Sequence, residues 1–123
     1  MTVEDMAKVK EVGIYSGQIS DLSALKSATG LERLVFPLNH ISDLAPLSGL
    51  KNLNFLELNR NRISNLTPLA GLTNLKSLHL GDTKVTDVGI KKLQQALPNC
   101  RINLDSISDE VRAIIAEQLK GRE

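Results

Sequence analysis

Apolar residues recur along this chain at intervals of three and two, and the whole arrangement then returns. LERLVFPLNHI from Leu31, LNFLELNRNRI from Leu53 and LKSLHLGDTKV from Leu75 share the pattern L-x-x-L-x-L-x-x-N/T-x-I/V. The register extends outward to VKEVGIYSGQI from Val9 and LPNCRINLDSI from Leu97, so starts at 9, 31, 53, 75 and 97 set a period of 22 with no insertion. Self-similarity at a fixed period of about 20 to 50 residues is the signature of a stacked repeat.

Within each copy the fourth and sixth places are apolar and the places between them vary, as in a short strand with one buried face. Val12 and Ile14, Leu34 and Phe36, Leu56 and Leu58, Leu78 and Leu80, and Cys100 and Ile102 are therefore expected to point inward. The return halves repeat as well: ISDLSALKSATG, ISDLAPLSGLKN and ISNLTPLAGLTN begin at Ile19, Ile41 and Ile63. Ser followed by Asp or Asn is helix-capping chemistry, and Pro46 and Pro68 suit a first turn where an N–H is dispensable, which predicts brief helical or 3₁₀ returns. The fourth return carries Ile90 in place of proline and then Lys91, Lys92, Gln94 and Gln95. It predicts a longer α-helix from Asp87 to Ala96, stopped by Pro98. A strand, a crossover and a second strand in the same direction give a parallel sheet with right-handed connections, and a fixed period stacks the coils into a solenoid.

Over residues 9 to 107 this pattern resembles the leucine-rich repeat superfamily, in the 22-residue class found in internalin-like bacterial proteins and a protein phosphatase regulatory subunit. The resemblance implies an α/β fold, with a five-strand parallel sheet on the concave face and short 3₁₀ or α segments on the convex face. In that class Asn side chains at the places of Asn39 and Asn61 bond the loop backbone in a ladder. Gly17, Thr83 and Asp105 depart from it, so the ladder is expected to be complete only in the centre. A phosphatase-regulating role is a further implication, but the matched positions are core positions and carry no partner.

A solenoid needs cover at its ends. Ser106 to Lys120 reads as an amphipathic helix, with Ile107, Val111, Ile114, Ile115 and Leu119 on one stripe, Ser108 as N-cap and Gly121 as the stop. The expected lid is a capping helix over about 108–120. Val3 and Met6 fall in phase with Leu25 and Ala28, so the first residues predict the tail of a return, a short helix capped by Thr2. This thinner cover suggests either a piece of a longer solenoid or a less stable first coil.

Composition narrows the function. Leucine supplies twenty-one of 123 residues and aromatics only three, so pattern must order the core. The length predicts a single domain over 1–123. A formal charge of +1 gives no electrostatic footprint for nucleic acid or an anionic membrane. Cys100 stands alone, which rules out an intrachain disulfide. The opening residues include Glu4 and Asp5 and do not read as a secretory signal, and the uncharged run Ile63 to Leu75 is too short and polar to span a bilayer. A cytoplasmic setting is the expectation for the chain as written.

Function on such a scaffold is written where the core does not dictate identity, on the third, fifth, seventh and eighth places. The third column reads Glu11, Arg33, Phe55, Ser77, Asn99 and the fifth Gly13, Val35, Glu57, His79, Arg101. The seventh reads Tyr15, Pro37, Asn59, Gly81, Asn103, and the eighth Ser16, Leu38, Arg60, Asp82, Leu104. Phe55, with Val35, Tyr15 and Arg33 around it, forms a candidate anchor patch, since aromatics and Arg dominate interface hot spots. Glu57, His79 and Arg101 are expected side by side, about 4.8 Å apart per strand. Such a row serves acid–base chemistry or anion binding, or is only an exposed charge ladder. With Lys10, Glu32 and Lys76 at the second place, five cations meet four anions, a mixed surface that suits a protein better than a polyanion. Cys100 takes a leucine's place in the core, where a thiol is inert. No phosphate loop, metal-ligand spacing or other cofactor motif appears, so none is expected.

The leading expectation is a non-enzymatic module that binds a protein partner through Tyr15, Arg33, Val35, Phe55, Glu57, His79 and Arg101, as a monomer or weak self-associate. Five strands at about 4.8 Å, each about 16 Å long, project roughly 400 Å², half of the roughly 800 Å² a standard interface takes from each side. A spacer or capping portion of a larger repeat protein is the alternative. An acid–base enzyme around Glu57 and His79 is the remote one.

Overall fold

A computed structural model describes residues 3–15 and 17–105, with side chains from Asp5 onward. Five three-residue strands, β1 (Glu11–Gly13), β2 (Arg33–Val35), β3 (Phe55–Glu57), β4 (Ser77–His79) and β5 (Arg101–Asn103), form one parallel sheet in chain order. Alternation turns the middle residue of each strand inward: Leu34, Leu56 and Leu78 are fully buried, with Val12 and Ile102 packed against them at the ends. Behind the sheet the core continues through Leu22, Leu44 and Leu66, then Leu25, Leu47 and Leu69, then Ala28, Leu50 and Leu72. Each row holds side chains from successive coils, so every coil is buried by its neighbours. Ile14, expected inward, is 38% exposed; among the described residues no strand precedes β1 to cover it.

Three returns are 3₁₀ turns, at Ser23–Ser27, Ala45–Leu47 and Thr67–Leu69. Their starts share one device. The Oδ1 atoms of Asp21, Asp43 and Asn65 accept the backbone N–H two residues on, at 2.9, 2.9 and 3.0 Å. Pro46 and Pro68 follow in the first turn, where the missing donor leaves no hydrogen bond unmade. The fourth return is the α-helix α2 (Asp87–Ala96), with the bounds its composition predicts; the Thr86 hydroxyl caps it by accepting from the Gly89 N–H at 3.1 Å. At the other end α1 (Val3–Ala7) lies against Gly30, where a Cβ would stand 2.2 Å from the Ala7 carbonyl oxygen, so only glycine allows that approach. The proposed Thr2 cap, Ser16 and the helix at 108–120 lie outside the described residues.

Helix α2 also corrects the period. The first three pairings keep the step of 22, as in Arg33↔Phe55 and Phe55↔Ser77, but β4 pairs Ser77↔Arg101 and His79↔Asn103, a step of 24. An α-helix advances about 1.5 Å per residue against about 2.0 Å for a 3₁₀ turn, so a helical return uses more residues over the same span. The slip of two keeps every side chain on its expected face, because a strand's facing repeats every second residue. Its neighbours change: Arg101 stands beside Ser77 and not beside His79, Ile102 takes the place opposite Leu78 expected of Cys100, and Asp105 leaves the ladder position.

The ladder itself is complete in the centre. Asn61 accepts from the Ile41 N–H at 3.0 Å and donates to the carbonyls of Phe36 and Leu58 at 2.7 and 3.1 Å, tying two coils together. Asn39 accepts from Ile19 and donates to Ile14 and Pro37. Thr83 keeps one bond, to the Leu80 carbonyl at 2.7 Å. Between strand and ladder the chain turns each time through a left-handed residue: Leu38, Arg60 and Asp82 have φ of 58°, 59° and 56°. Asn61→Ala should lower unfolding free energy by about 2 to 4 kcal/mol, since it strands several buried backbone groups, and Thr83→Ala by about 1 kcal/mol. Urea denaturation of both variants checks the ranking.

Candidate functional site

The concave face is built by the first and third residues of each strand. After the slip, one row reads Glu11, Arg33, Phe55, Ser77, Arg101 and the next Gly13, Val35, Glu57, His79, Asn103. At the centre lies Phe55, partly exposed, with the Arg33 guanidinium 4.4 Å above its ring centroid and the His79 ring at 5.3 Å, tilted by 43°. Arg33 is steadied from its other side by Glu11, Nε to Oε1 3.6 Å. Tyr15 folds back over Gly13, where a Cβ would lie 3.5 Å from both its ring and the Val35 carbonyl. Of the residues expected around Phe55, Arg33 is in contact with it, Tyr15 lies against Gly13, and Val35 needs a correction. Val35, expected as an accessible contact, is only 6% exposed, between Gly13 and the buried Glu57 in its row.

Glu57 departs further from expectation: it is 1% exposed. Val35 and His79 flank it in its row, and Asn59, two residues on along the same strand face, donates to Oε1 at 2.7 Å. Asn59 is itself 1% exposed and accepts from the Gly81 N–H at 2.6 Å, so its amide orientation is set by the next coil. Sequence reasoning assigned Asn59 no role, although the Glu57-x-Asn59 spacing puts both on one face. Burial pushes the Glu57 carboxyl up from an ordinary 4.5 to about 7, and burial likewise holds the His79 imidazole below its usual range. Both groups are driven toward their neutral forms.

The row of Glu57, His79 and Arg101 expected from sequence is not assembled as such. His79 Nδ1 lies 3.7 Å from Glu57 Oε2, beyond hydrogen-bonding reach, and Arg101 is one position away from the row it was expected to complete. Cys100 is buried, and its thiol is pushed up by burial. A hollow of about 390 Å³ lies instead on the convex side, lined by Ser64, Thr67, Thr86, Val88 and Lys92. Among the described residues no cluster of three His, Cys, Asp or Glu is placed to hold a metal, and no helix is long and apolar enough to cross a membrane.

A parallel sheet offering an ordered row of side chains, backed by stacked leucines, defines a repeat solenoid. The chain belongs to the leucine-rich repeat family: the family model, described as leucine rich repeats (2 copies), matches residues 29–71 and 51–92. An internalin from Listeria monocytogenes is similar over 94% of this chain and 34% of its own, with 23% identity and a TM-score of 0.77. Internalin C2 of the same organism is similar over 87% of this chain and 48% of its own, with 30% identity and a TM-score of 0.68. A chain of the Drosophila melanogaster SNF/U2A′ complex is similar over 92% of this chain and 70% of its own, with 18% identity and a TM-score of 0.59. The chain thus spans about a third of the first of these and about half of the second. No curated protein sequence matches it. Leucine-rich repeat folds serve typically as protein–protein interaction modules and typically not as enzymes.

The buried carboxyl makes stability depend on pH with a definite sign. A folded-state value above the unfolded one means the stabilising contribution is full below pH 4.5 and is lost as pH rises through about 7. His79 works in the opposite sense, losing stability as pH falls below 6.5. Glu57→Gln retains an acceptor for Asn59 but cannot ionise. The variant should match wild type near pH 4.5 and exceed it above pH 7 by at most about 3 kcal/mol. Denaturation midpoints of both proteins across this range isolate the Glu57 contribution, since His79 is common to them.

Proposed function

We propose that this chain is a non-enzymatic protein-binding module that docks its partner on the concave sheet, with Phe55 as anchor. The observation that carries this reading is the held aromatic: a partly exposed Phe55 clamped between Arg33 at 4.4 Å and His79 at 5.3 Å. An anchor ordered before binding loses little conformational entropy when a partner arrives. Tyr15, Arg33, His79 and Arg101 supply accessible contacts in this proposal, while Val35 and Glu57 shape the surface from beneath. One of the similar folds comes from a two-protein complex, which supports a partner-binding role by analogy. A cytoplasmic location and a monomeric or weakly self-associating state belong to the same proposal. The spacer alternative is favoured by one observation, the exposed Ile14 beside β1, and it predicts that changes at Phe55 alter no interaction.

The test is affinity capture of partners from source-cell extract, followed by titration of a purified partner against wild type and two variants. Phe55→Ala should raise Kd by about tenfold or more, as loss of a hot-spot aromatic does. Val88→Ala, at an exposed site on convex helix α2, should leave it unchanged. Equal Kd for wild type and Phe55→Ala, with both folded by circular dichroism, overturns concave docking.

A further inference from the structure

The charges of the concave face look evenly mixed in sequence, and the structure sorts them. Lys10 pairs with Glu32 at 3.7 Å, Arg33 with Glu11 at 3.6 Å and Arg60 with Asp82 at 3.3 Å. Glu57 is buried beneath the surface. Two exposed cations remain on the strand-start side, Lys76 and Arg101, and neither has an ion-pair partner among the described residues. The slip of two residues at β5 brings them together: the Arg101 N–H bonds the Lys76 carbonyl at 2.8 Å. The same slip moves Arg101 into the row of Phe55, two strands away across Ser77.

Beside Lys76 lies an open hollow of about 420 Å³, lined also by Lys10, Glu32, Asn52, Asn54 and Asn74. Two of its amides are committed, Asn52 to the Thr29 carbonyl and Asn74 to that of Lys51. The Asn54 side chain has no hydrogen-bond partner among the described residues, and it immediately precedes Phe55. Glu32, facing the hollow, is tied to Lys10, and Asp105 stands at the far end of the sheet, four residues beyond Arg101, about 13 Å along an extended strand.

We propose that the partner segment received by this face is acidic, setting carboxylates against Lys76, Arg101 and the Asn54 amide while an apolar or aromatic side chain lies on Phe55. The proposal rests on concave docking and adds the chemistry of what docks. Charge complementarity of this kind speeds encounter and selects among partners, and it weakens as salt rises. Two unpaired cations on this face, in a chain of charge +1, suit a few carboxylates far better than a nucleic-acid backbone.

The experiment is fluorescence anisotropy of the full chain with three labelled probes: a short peptide with glutamates flanking one tryptophan, the same peptide with glutamines, and an oligothymidine of similar length. The glutamate peptide should bind about tenfold more tightly than the glutamine peptide at low salt, and lose most of that advantage at physiological salt. Lys76→Glu/Arg101→Glu, at exposed positions and checked by thermal melting, should erase the preference; Phe55→Ala should weaken both peptides. Equal binding of the two peptides, tighter binding of the oligothymidine, no detectable binding of the glutamate peptide, or a preference that survives charge reversal overturns the proposal. If Phe55→Ala weakens the peptides but charge has no effect, acidic recognition alone fails and concave docking stands. If Phe55→Ala changes neither the peptides nor the captured partner, docking itself fails.

Discussion

Each coil of this protein lacks a core of its own. A leucine such as Leu56 is dry only because Leu34 and Leu78 stand on either side, and the coil must therefore bring its strand back into register with the one before. That requirement governs the rest. It holds returns to lengths that refill the same span and stations Asn39 and Asn61 where one amide reaches the backbone of two turns. It also presents the strand residues not needed by the core as ordered rows. The Asn61 hydrogen bonds to Ile41, Phe36 and Leu58 show how far the principle extends, since the loop as well as the sheet is built by reference to the neighbouring coil.

The same dependence explains what could be read from sequence and what could not. The leucine columns, the Asp and Asn residues that start the returns, Pro46 and Pro68, and helix α2 are local signals, and spacing reveals them. The slip at β5 has no local signal. Cys100 and Ile102 are both apolar and two apart, so either can be set opposite Leu78 without changing which face is buried. Helix α2 could be recognised from its residues, yet the length it consumes shows only when its ends meet the sheet. Glu57 was hidden for a different reason. Its type argues for exposure, and its burial comes from side chains on β2 and β4 together with Asn59, a closure that no position decides alone.

The concave face accordingly combines buried and accessible positions. Val35, Glu57 and Asn59 are its buried members, and in the open Phe55 touches both Arg33 and His79. The buried acid therefore ties the stability of this face to pH, because ionising a desolvated carboxyl is costly.

The three left-handed residues have a bearing on how such a chain changes over generations. Leu38, Arg60 and Asp82 share a backbone angle but not a side-chain type, so the corner is a property of the stack and is imposed on whatever residue occupies it. Corners of one angle at one interval make the coils interchangeable. A duplication or deletion of one whole period between Leu31 and Leu75 joins compatible ends and adds or removes a single strand of binding surface. The helical return before β5, with its different length, is not exchangeable for the others.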